Sequence, residues 1–354
     1  MKACTFSDVL IKPKYSEIKS RKDVDLSTDL GSMKLSLPLI SSNMKTITGP
    51  EMAFEMYTTG ALGILHRFCT IDQSVEDFKT VIKLINFNLP LLFPNIKSPI
   101  YKVGVSIGVQ KKGQKRFKAL YKAGARIFAI DVAHGDHISV KKMLHWIRNQ
   151  KIDQKKLILI AGNVATIEGV ENLAKWGANW IKVGIGSGSC CMTRRNTGIG
   201  IPQLDALENA YVAQIFQKYE CNRDIKIISD GGISSPGDIV KALKYADLVM
   251  VGSMLAGTTE TPGKVFKNKN NQYYKVYMGS ASGENKHSSN QETDFIEGIA
   301  SEILFKGRVK YVLKEIKEGI QSACSYVGAK NLKEFKDKCE FVRITDGARV
   351  ESKI

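Results

Sequence analysis

Eight short apolar runs alternate with helix-like segments along this chain of 354 residues, and this alternation restricts the possible folds more than any other feature. Such runs are typical of parallel strands linked by crossover helices. The predicted strands are Leu39–Ser42, Leu62–Arg67, Val103–Ile107, Ile127–Val132, Leu157–Ala161, Trp180–Val183, Ile225–Ser229 and Leu248–Val251. Eight βα units in succession predict an α/β fold, the (β/α)8 TIM barrel. A doubly wound open sheet is the alternative, and it is less favoured because no GxGxxG motif opens the first βα unit.

Polar and glycine-rich residues follow seven of the eight predicted strands. They are Ser42-Asn43-Met44, His66-Arg67, residues 131–135, Gly162-Asn163, the loop that begins at Lys182, Asp230-Gly231-Gly232 and Gly252-Ser253. In a barrel all of these strand ends lie on one face, where active sites are built. Helix capping would explain one or two polar strand ends, so this pattern predicts an active site on that face.

The most distinctive of these strand ends is the loop Lys182 to Gln203, KVGIGSGSCCMTRRNTGIGIPQ. Its glycines permit positive φ and the close approach of a ligand. Cys190 and Cys191 lie just before Thr193 and a basic pair, and nearby cations or oriented N–H groups favour a thiolate. The loop therefore suggests a nucleophilic cysteine beside a phosphate or purine. A tight turn with two incidental buried thiols is the alternative.

The region after the eighth strand departs from the βα alternation. Lys264–Tyr277 predicts a hairpin with Asn270-Asn271 near its turn. The polar stretch Gly279–Glu297 predicts a mobile flap over the active face, with a disordered surface loop as the alternative. A helical pattern over Val309–Ile320 is expected to end before Gln321, and the charged C-terminal region is expected to be peripheral. We expect one catalytic barrel domain over residues 1–354, with the hairpin and flap inserted at about 264–307.

Charge and cysteine content restrict the partners and the compartment. The net charge is +17, but the lysines are scattered over helix-like segments such as residues 111–122, without a basic tail, so we expect no nucleic-acid partner. No apolar run approaches the ~20 residues of a membrane helix, and the N-terminus lacks a signal-peptide core. Seven cysteines without framework spacing indicate reduced thiols. We therefore expect a cytoplasmic protein with no membrane partner.

Five motifs carry a resemblance to a known family. They are AGNV (161–164), GIGSGSCCMTR (184–194), SDGGISSPGD (229–238), GSMLAG (252–257) and SACSYVGA (322–329). With them the chain resembles the family of inosine-monophosphate (IMP) dehydrogenases and guanosine-monophosphate (GMP) reductases. The resemblance implies a (β/α)8 barrel with an active-site flap, a nucleotide substrate and a homotetramer. Ser187 stands where the family usually has proline, which reduces the stiffness of the loop.

Two branches share this scaffold, and three features favour the reductase branch. The stretch from Arg67 to Val103 leaves no room for the pair of CBS modules that dehydrogenases usually carry there. The stretch Gly279–Gly298 lacks the Arg-Tyr pair with which the dehydrogenase flap activates water. DVAHG (131–135) and TRRNTGIG (193–200) are similar to reductase sequences. A dehydrogenase without CBS modules is the alternative, and a non-catalytic purine-nucleotide-binding barrel is a second one from another class.

The reductase branch implies an NADPH-dependent oxidoreductase of purine salvage that converts GMP to IMP and ammonia. By resemblance, Cys191 attacks C2 of the purine, ammonia leaves, and the covalent adduct accepts a hydride from NADPH. Thr193 and Glu297 resemble the pair that relays a proton to the departing ammonia. Cys190 is the rival nucleophile. The family motif places the nucleophile at Cys191, so we expect Cys190 to be a packed thiol.

The resemblance also implies the binding residues. The GMP set is Met44, Asp230, Gly231, Gly232, Gly252, Ser253, Gly279, Ser280 and Gly298, with Asp230 on the ribose hydroxyls and the glycine turns on the phosphate. The NADPH set is Ser20, Arg21, Arg67, Asp131, Val132, Ala133, Ile185 and Gly186, joined by Ser322, Cys324 and Ser325 of an adjoining subunit. Arg67 would hold the 2′-phosphate in a fork. A potassium (K⁺) site would involve Gly186, Gly188, Cys191 and Arg194.

Overall fold

Three short strands precede the barrel. The computed structural model describes residues 3–31, 33–92, 101–267, 269–279 and 299–351. The first strands are β1 (Val9–Ile11), β2 (Thr28–Leu30) and β3 (Met33–Leu35). β2 and β3 pair antiparallel, and their apolar side chains join the cluster that fills the barrel interior. The turn beside Gly31 faces Ile158, where a barrel strand begins, so this hairpin plugs the end of the barrel at which the strands start.

The next eight strands form the barrel. They are β4 (Leu39–Ser41), β5 (Leu62–Leu65), β6 (Val103–Ile107), β7 (Ile127–Asp131), β8 (Ile158–Val164), β9 (Trp180–Val183), β10 (Lys226–Asp230) and β11 (Leu248–Val251). All are parallel and close in the order β10-β11-β4-β5-β6-β7-β8-β9, which confirms the predicted (β/α)8 fold. Each strand overlaps its predicted run. Nearly every strand residue is buried, as expected for parallel strands covered by helices.

Most helices cover the outside of the barrel. The helices are α1 (Pro50–Thr58), α2 (Ile71–Leu92), α3 (Lys111–Lys122), α4 (Ile138–Arg148), α5 (Ile167–Lys175), α6 (Thr193–Thr197), α7 (Gln203–Tyr219), α8 (Pro236–Ala242), α9 (Val309–Tyr326), α10 (Leu332–Lys338) and α11 (Asp346–Glu351). The exception is α6, which lies on the cysteine loop (182–203), beside a cavity at the strand ends. In α3, Phe117 and Leu120 are buried while most lysines face outward, which places the basic charge on a solvated face. In the described ranges no helix combines the length and apolarity needed to cross a membrane.

A three-stranded antiparallel sheet follows the barrel. It consists of β12 (Phe266–Lys267), β13 (Tyr273–Met278) and β14 (Ala300–Leu304). The pairing of β12 with β13 lies within the predicted hairpin. The predicted flap falls largely on residues 280–298, outside the described residues, and stays a prediction.

Two expectations for the C-terminal region are wrong. Helix α9 does not end before Gln321 but continues to Tyr326, because Gln321 and Cys324 face the core and continue its buried stripe. The region beyond it is not peripheral. Strand β15 (Phe341–Arg343) pairs with β1, and Lys336 of α10 forms an ion pair with Asp247 at the start of β11.

Candidate active site

The carboxyl ends of the barrel strands surround a cavity of about 430 Å³. Its lining includes many of the residues predicted from the sequence: Met44, Arg67, Asp131, Val132, Ala133, Ile185, Gly186, Gly188, Cys191, Thr193, Asp230, Gly231 and Gly279. These residues lie far apart in the chain. The barrel brings them together because all parallel strands end on the same face.

Cys191 lies on the loop after β9 and is half-buried against the cavity. Its thiol donates a hydrogen bond to the hydroxyl of Thr193, with 3.2 Å between Sγ and Oγ1. Its backbone N–H donates to the carbonyl of Gly188 at 3.0 Å, which closes a tight turn. The arrangement places a nucleophilic sulfur beside a hydroxyl that can accept and pass on a proton.

The neighbouring thiol of Cys190 has a different environment and is only 6% exposed. Burial raises its pKa, and hydrogen bonds with Tyr277 and Ser189 offset this only in part. Its carbonyl accepts a hydrogen bond from the N–H of Ile299 at 3.2 Å. Cys190 is thus a packed thiol that ties the cysteine loop to the three-stranded sheet, as its sequence position predicted.

Lys182, near the end of β9, is the centre of an ion network beneath the cavity, and its side chain is only 4% exposed. Its Nζ lies 3.2 Å from Oδ2 of Asp230 and 4.0 Å from Oδ1 of Asp131. Arg67 Nε donates to Oδ2 of Asp131 at 3.1 Å. Sequence reasoning assigned no role to Lys182. The signal was a single charged residue within the otherwise apolar strand Trp180–Val183, because a buried charge requires a partner.

The charges of this network outweigh the cost of their burial. Burial alone would lower the pKa of Lys182, but the carboxylates of Asp230 and Asp131 raise it above its usual value. Burial would raise the pKa of Asp131, but the cations of Arg67 and Lys182 hold it below its usual value. The network therefore favours a protonated Lys182 and an ionised Asp131.

Asn163 orients the predicted ribose ligand Asp230. Its Nδ2 donates to Oδ2 of Asp230 at 2.9 Å and to the carbonyl of Gly184 at 2.8 Å. Within the described part of the chain, the hydrogen bonds to Asp230 from Asn163 and Lys182 both fall on Oδ2. Oδ1 is therefore the oxygen that can accept from a diol. Asn163 was not predicted as a site residue, although the sequence placed it at a polar strand end.

The turn after Asp230 requires glycine, but it donates fewer hydrogen bonds to the cavity than predicted. Gly231 has φ of +102°, and an added Cβ would lie 2.4 Å from the hydroxyl of Ser187. The N–H of Gly232 donates to the carbonyl of Ser187 at 2.9 Å. The N–H of Gly279 likewise donates to the carbonyl of Ile299 at 3.0 Å. Two of the predicted phosphate donors are therefore already used within the protein.

Two hydroxyls that the sequence did not reveal line the same wall. The Oγ of Ser189 lies 3.2 Å from the phenol oxygen of Tyr277. A Cβ added to Gly252 would lie 3.2 Å from that phenol and 3.5 Å from the sulfur of Met44. Gly252 therefore lies close to both Tyr277 and Met44, although it is not among the residues that line the cavity. Ser253, next in the chain, donates its hydroxyl to the carbonyl of Ile233 at 3.3 Å.

Some residues of the predicted cofactor set lie outside the cavity lining. Ser20 and Arg21 lie beside the end of α9, where the guanidinium of Arg21 stacks at 5.8 Å over the ring of Tyr326. Ser322 and Ser325 of α9 are half-buried in the same region. Cys324 is 0% exposed and packs in the core of its own chain, so it does not face an adjoining subunit as predicted.

The remaining predictions concern the loop cation site and the flap. The side chain of Arg194 passes close to Gly186 and Gly200, and its Nη2 donates to the carbonyl of Ile201 at 2.5 Å. Arg194 therefore braces the loop, and the K⁺ site stays a prediction. Glu297, Ser280 and Gly298 lie outside the described residues.

Comparison with known proteins places this barrel among nucleotide oxidoreductases. Residues 3–354 match the family model described as the IMP dehydrogenase / GMP reductase domain. A GMP reductase of Mycoplasma mycoides is 34% identical, over 98% of this chain and 99% of that protein. A GMP reductase of Vibrio atlanticus is 33% identical, over 96% and 94%.

Dehydrogenases are similar to a comparable degree. The inosine-5′-monophosphate dehydrogenase of Borreliella burgdorferi is 33% identical, over 99% of this chain and 96% of that protein. Overall identity therefore does not decide between the two reactions. The chain belongs to the IMP dehydrogenase / GMP reductase family of oxidoreductases, which use a nicotinamide cofactor.

Proposed function

We propose that this protein is a GMP reductase, which converts GMP to IMP and ammonia at the expense of NADPH. The observation that carries the proposal is the contact of 3.2 Å between the thiol of Cys191 and the hydroxyl of Thr193, in the cavity that Asp230 also lines. A nucleophile, a proton relay and a diol acceptor are the groups that covalent substitution on a purine nucleotide needs.

The nucleotide is held across the cavity by residues from three strand ends. Oδ1 of Asp230 accepts hydrogen bonds from the ribose hydroxyls, since Lys182 and Asn163 fix the carboxylate through Oδ2. The hydroxyls of Ser189 and Tyr277 donate to the phosphate beside Gly252. Met44 packs beneath the base. The purine C2 is then presented to Cys191.

Cys191 and Thr193 perform the substitution. The thiol transfers its proton to the Thr193 hydroxyl along their existing hydrogen bond, and the sulfur bonds to C2. The bond between C2 and the 2-amino nitrogen breaks, and a proton delivered through Thr193 allows ammonia to leave. Glu297, the predicted carboxylate behind Thr193, is assigned to this relay on its sequence alone.

The wall formed by Arg67 and Asp131 suits a dinucleotide, which would supply the hydride that releases IMP from Cys191. Asp131 is ionised and can accept from ribose hydroxyls. The guanidinium of Arg67 packs at 4.9 Å on the ring of Phe68 and keeps N–H groups beyond the Nε that Asp131 uses. We assign NADPH to this wall because a guanidinium can bind a 2′-phosphate in a fork. A K⁺ ion on the loop carbonyls is part of the proposal.

The choice of the reductase branch rests on residues rather than on overall identity. Residues 279–298 contain no arginine and no tyrosine, so the segment lacks the pair implied for water activation in dehydrogenases. The alignment with the Mycoplasma GMP reductase spans 351 residues, close to the length of this chain. A dehydrogenase without CBS modules and a non-catalytic binding barrel are the competing assignments.

We further propose a cytoplasmic homotetramer. Ser20, Arg21, Ser322 and Ser325 lie together outside the cavity lining of their own chain. In the proposed assembly, Ser322 and Ser325 contact the cofactor bound in the cavity of an adjoining subunit. The proposal is supported by this separation and by the family resemblance.

Two assays on the purified chain test the proposed function. We expect oxidation of NADPH in the presence of GMP, with IMP and ammonia formed in equal amounts. We expect little steady-state reduction of NAD⁺ in the presence of IMP. Release of xanthosine monophosphate would identify the dehydrogenase instead. Tight binding of GMP with neither reaction would identify a non-catalytic barrel.

A further inference from the structure

Gln203, the first residue of α7, is 2% exposed and lies between the two strands that carry the site. Its Nε2 donates to the carbonyl of Val183, the last residue of β9, at 2.8 Å, and to Oγ of Ser229 in β10 at 3.3 Å. Its Oε1 accepts a hydrogen bond from Oγ of Ser187 at 2.7 Å. One amide therefore joins both strands to the middle of the cysteine loop.

Ser187 connects this amide to the glycine turn that follows β10, the strand next to β9. The Ser187 carbonyl accepts the N–H of Gly232 at 2.9 Å, and its hydroxyl lies against Gly231. Ser187 thus contacts the turn that follows Asp230 while it occupies the loop that leads to Cys191. Through its hydrogen bond with the Ser187 hydroxyl, Gln203 therefore holds both the cysteine loop and the turn after Asp230.

The loop needs such a point of attachment. Gly184 and Gly186 have φ of +146° and +78°, and glycine carries the largest backbone entropy to be lost on ordering. Between Val183 and Cys191 the glycines provide no side chains to anchor the backbone. Asn163 holds the carbonyl of Gly184, and Ser189 contacts Tyr277 near the other end of the segment. The hydroxyl of Ser187 anchors the middle of the segment, four residues before the nucleophile.

We infer that Gln203 is a positioning residue, which acts through Ser187 to fix the Cys191 thiol relative to Asp230. The expected effect on kcat rests on the proposed function, whereas the position of the Cys191 thiol does not depend on the reaction. A loosened loop would still bind the nucleotide at Asp230, while the sulfur would spend less time at C2. The effect therefore falls on kcat rather than on KM.

Three variants test the inference: Gln203→Met, Ser187→Ala and the double variant. The methionine has a similar length without hydrogen bonds, and the alanine removes only the hydroxyl. We expect each single variant to lower kcat about 3- to 10-fold, the equivalent of one intramolecular hydrogen bond, with the KM for GMP changed less than about twofold. Because both act through one contact, the double variant should lose less than the product of the single effects. Multiplicative losses would overturn the inference.

A matched control lies on the same helix. The amide of Gln214 donates to the carbonyl of Ile225 at 2.9 Å and to Asp247 at 2.8 Å, at the opposite end of the barrel. Gln214→Met removes comparable hydrogen bonds from the fold and should leave kcat unchanged. An equal loss of kcat in Gln214→Met would show that general destabilisation, and not positioning, explains the Gln203 result.

A labelling experiment separates this inference from the proposed function. The intact protein is treated with iodoacetamide, and adducts at Cys191 and at Cys190 are quantified by mass spectrometry. We expect the ratio of Cys191 to Cys190 labelling to fall about 3- to 10-fold in Ser187→Ala and Gln203→Met, because a loosened loop uncovers the packed thiol. An unchanged ratio would overturn the positioning role even in an active enzyme. A changed ratio in a protein without reductase activity would refute the proposed function alone.

Discussion

The barrel has a lysine–carboxylate network at each end, and the two networks differ in how many carboxylate oxygens accept hydrogen bonds from the protein. Where the strands begin, Asp247 accepts hydrogen bonds from Nζ of Lys336 at 2.7 Å, from Gln214 at 2.8 Å and from the N–H of Ile227 at 2.9 Å. Where the strands end, Lys182 lies 3.2 Å from Asp230 but 4.0 Å from Asp131. The first network is closed, and the second opens on the cavity.

This difference separates stability from function in the same fold. At the closed end, protein donors occupy both oxygens of Asp247. Burial would raise its pKa, but the Lys336 cation and the hydrogen bonds from Lys336, Ile227 and Gln214 together hold it below the usual value. At the open end, the carboxylates of Asp131 and Asp230 keep acceptor capacity for a ligand. Barrels generally place chemistry where strands end and stability where they begin. Substitutions at the two ends should therefore have separable effects.

Loss of the nucleophile should produce the largest effect, confined to the open end. Cys191→Ala is expected to lower turnover by about 10⁴-fold or more, because no other group replaces the covalent step. The affinity for GMP, measured by calorimetry, should remain nearly intact. Cys190→Ala is the control and should retain most of the activity. The reverse outcome for the two cysteines would reassign the nucleophile.

Breaking the closed network should cost stability instead. Lys336→Met leaves the half-buried Asp247 carboxylate with only neutral donors, so we expect the free energy of unfolding to fall by about 2 kcal/mol. Urea denaturation measures this loss, and kcat of the folded enzyme should be unchanged. Lys333→Met, at an exposed position of the same helix, is the control and should be nearly neutral. A large fall in kcat would contradict the separation of the two ends.

Removing a carboxylate from the open network should weaken substrate binding. Asp230→Ala is expected to raise the KM for GMP by about 10- to 150-fold, because a hydrogen bond with a charged partner is worth about 1.5–3 kcal/mol. The free energy of unfolding should fall as well, because Lys182 is only 4% exposed and, of the carboxylates in the described ranges, keeps only Asp131, at 4.0 Å. The change in KM is therefore the measurement that is specific to this end. Asp224→Ala, at the exposed start of the same strand, serves as the control. An unchanged KM would remove Asp230 from the ribose site.

The smallest effect concerns pH and again distinguishes the two ends. Burial and the cations of Lys45 and Arg116 lower the pKa of His66 from 6.5 to about 4, and its Nδ1 accepts the N–H of Phe68 at 3.2 Å. The unfolded chain protonates first, so His66 reduces stability progressively as the pH falls from 6.5 towards 4. His66→Asn should flatten this part of the stability profile in urea titrations. Asp247 contributes little loss there, because its stabilisation is lost mainly as the pH falls below the unfolded value of 3.8 towards its lower folded pKa.

The sequence predicted the eight barrel strands because each one is buried on both faces and reads as a short apolar run. It also predicted that Cys191 and Asp230 share a cavity, since the barrel determines which strand ends meet. It did not predict that α9 reaches Tyr326, because Gln321 and Ser322 look like a polar boundary. Gln321 and Cys324 near the end of α9 are buried only because neighbouring elements pack against them.

The hydrogen-bond partners of the site residues were harder to predict than the site residues themselves. Arg67 was assigned to a phosphate from its charge, but the structure pairs its Nε with Asp131, sixty-four positions away in sequence. Gly232 was assigned to the phosphate from its place in a glycine turn, but its N–H donates to Ser187. Sequence patterns identify hydrogen-bonding groups, whereas the choice among several nearby partners depends on the folded geometry.

The meeting of β13 and β14 has a consequence for how this protein can change over evolution. Met278 pairs with Ala300, and the N–H of Gly279 donates to the carbonyl of Ile299, so the chain leaves and re-enters the sheet at adjacent positions. The residues that flank 280–298 are thus held together by backbone pairing. Doubling the length of such an insertion costs only about 0.6 kcal/mol in closure entropy. That segment can therefore be exchanged as a module, and a new reaction can be acquired there while the barrel stays as it is.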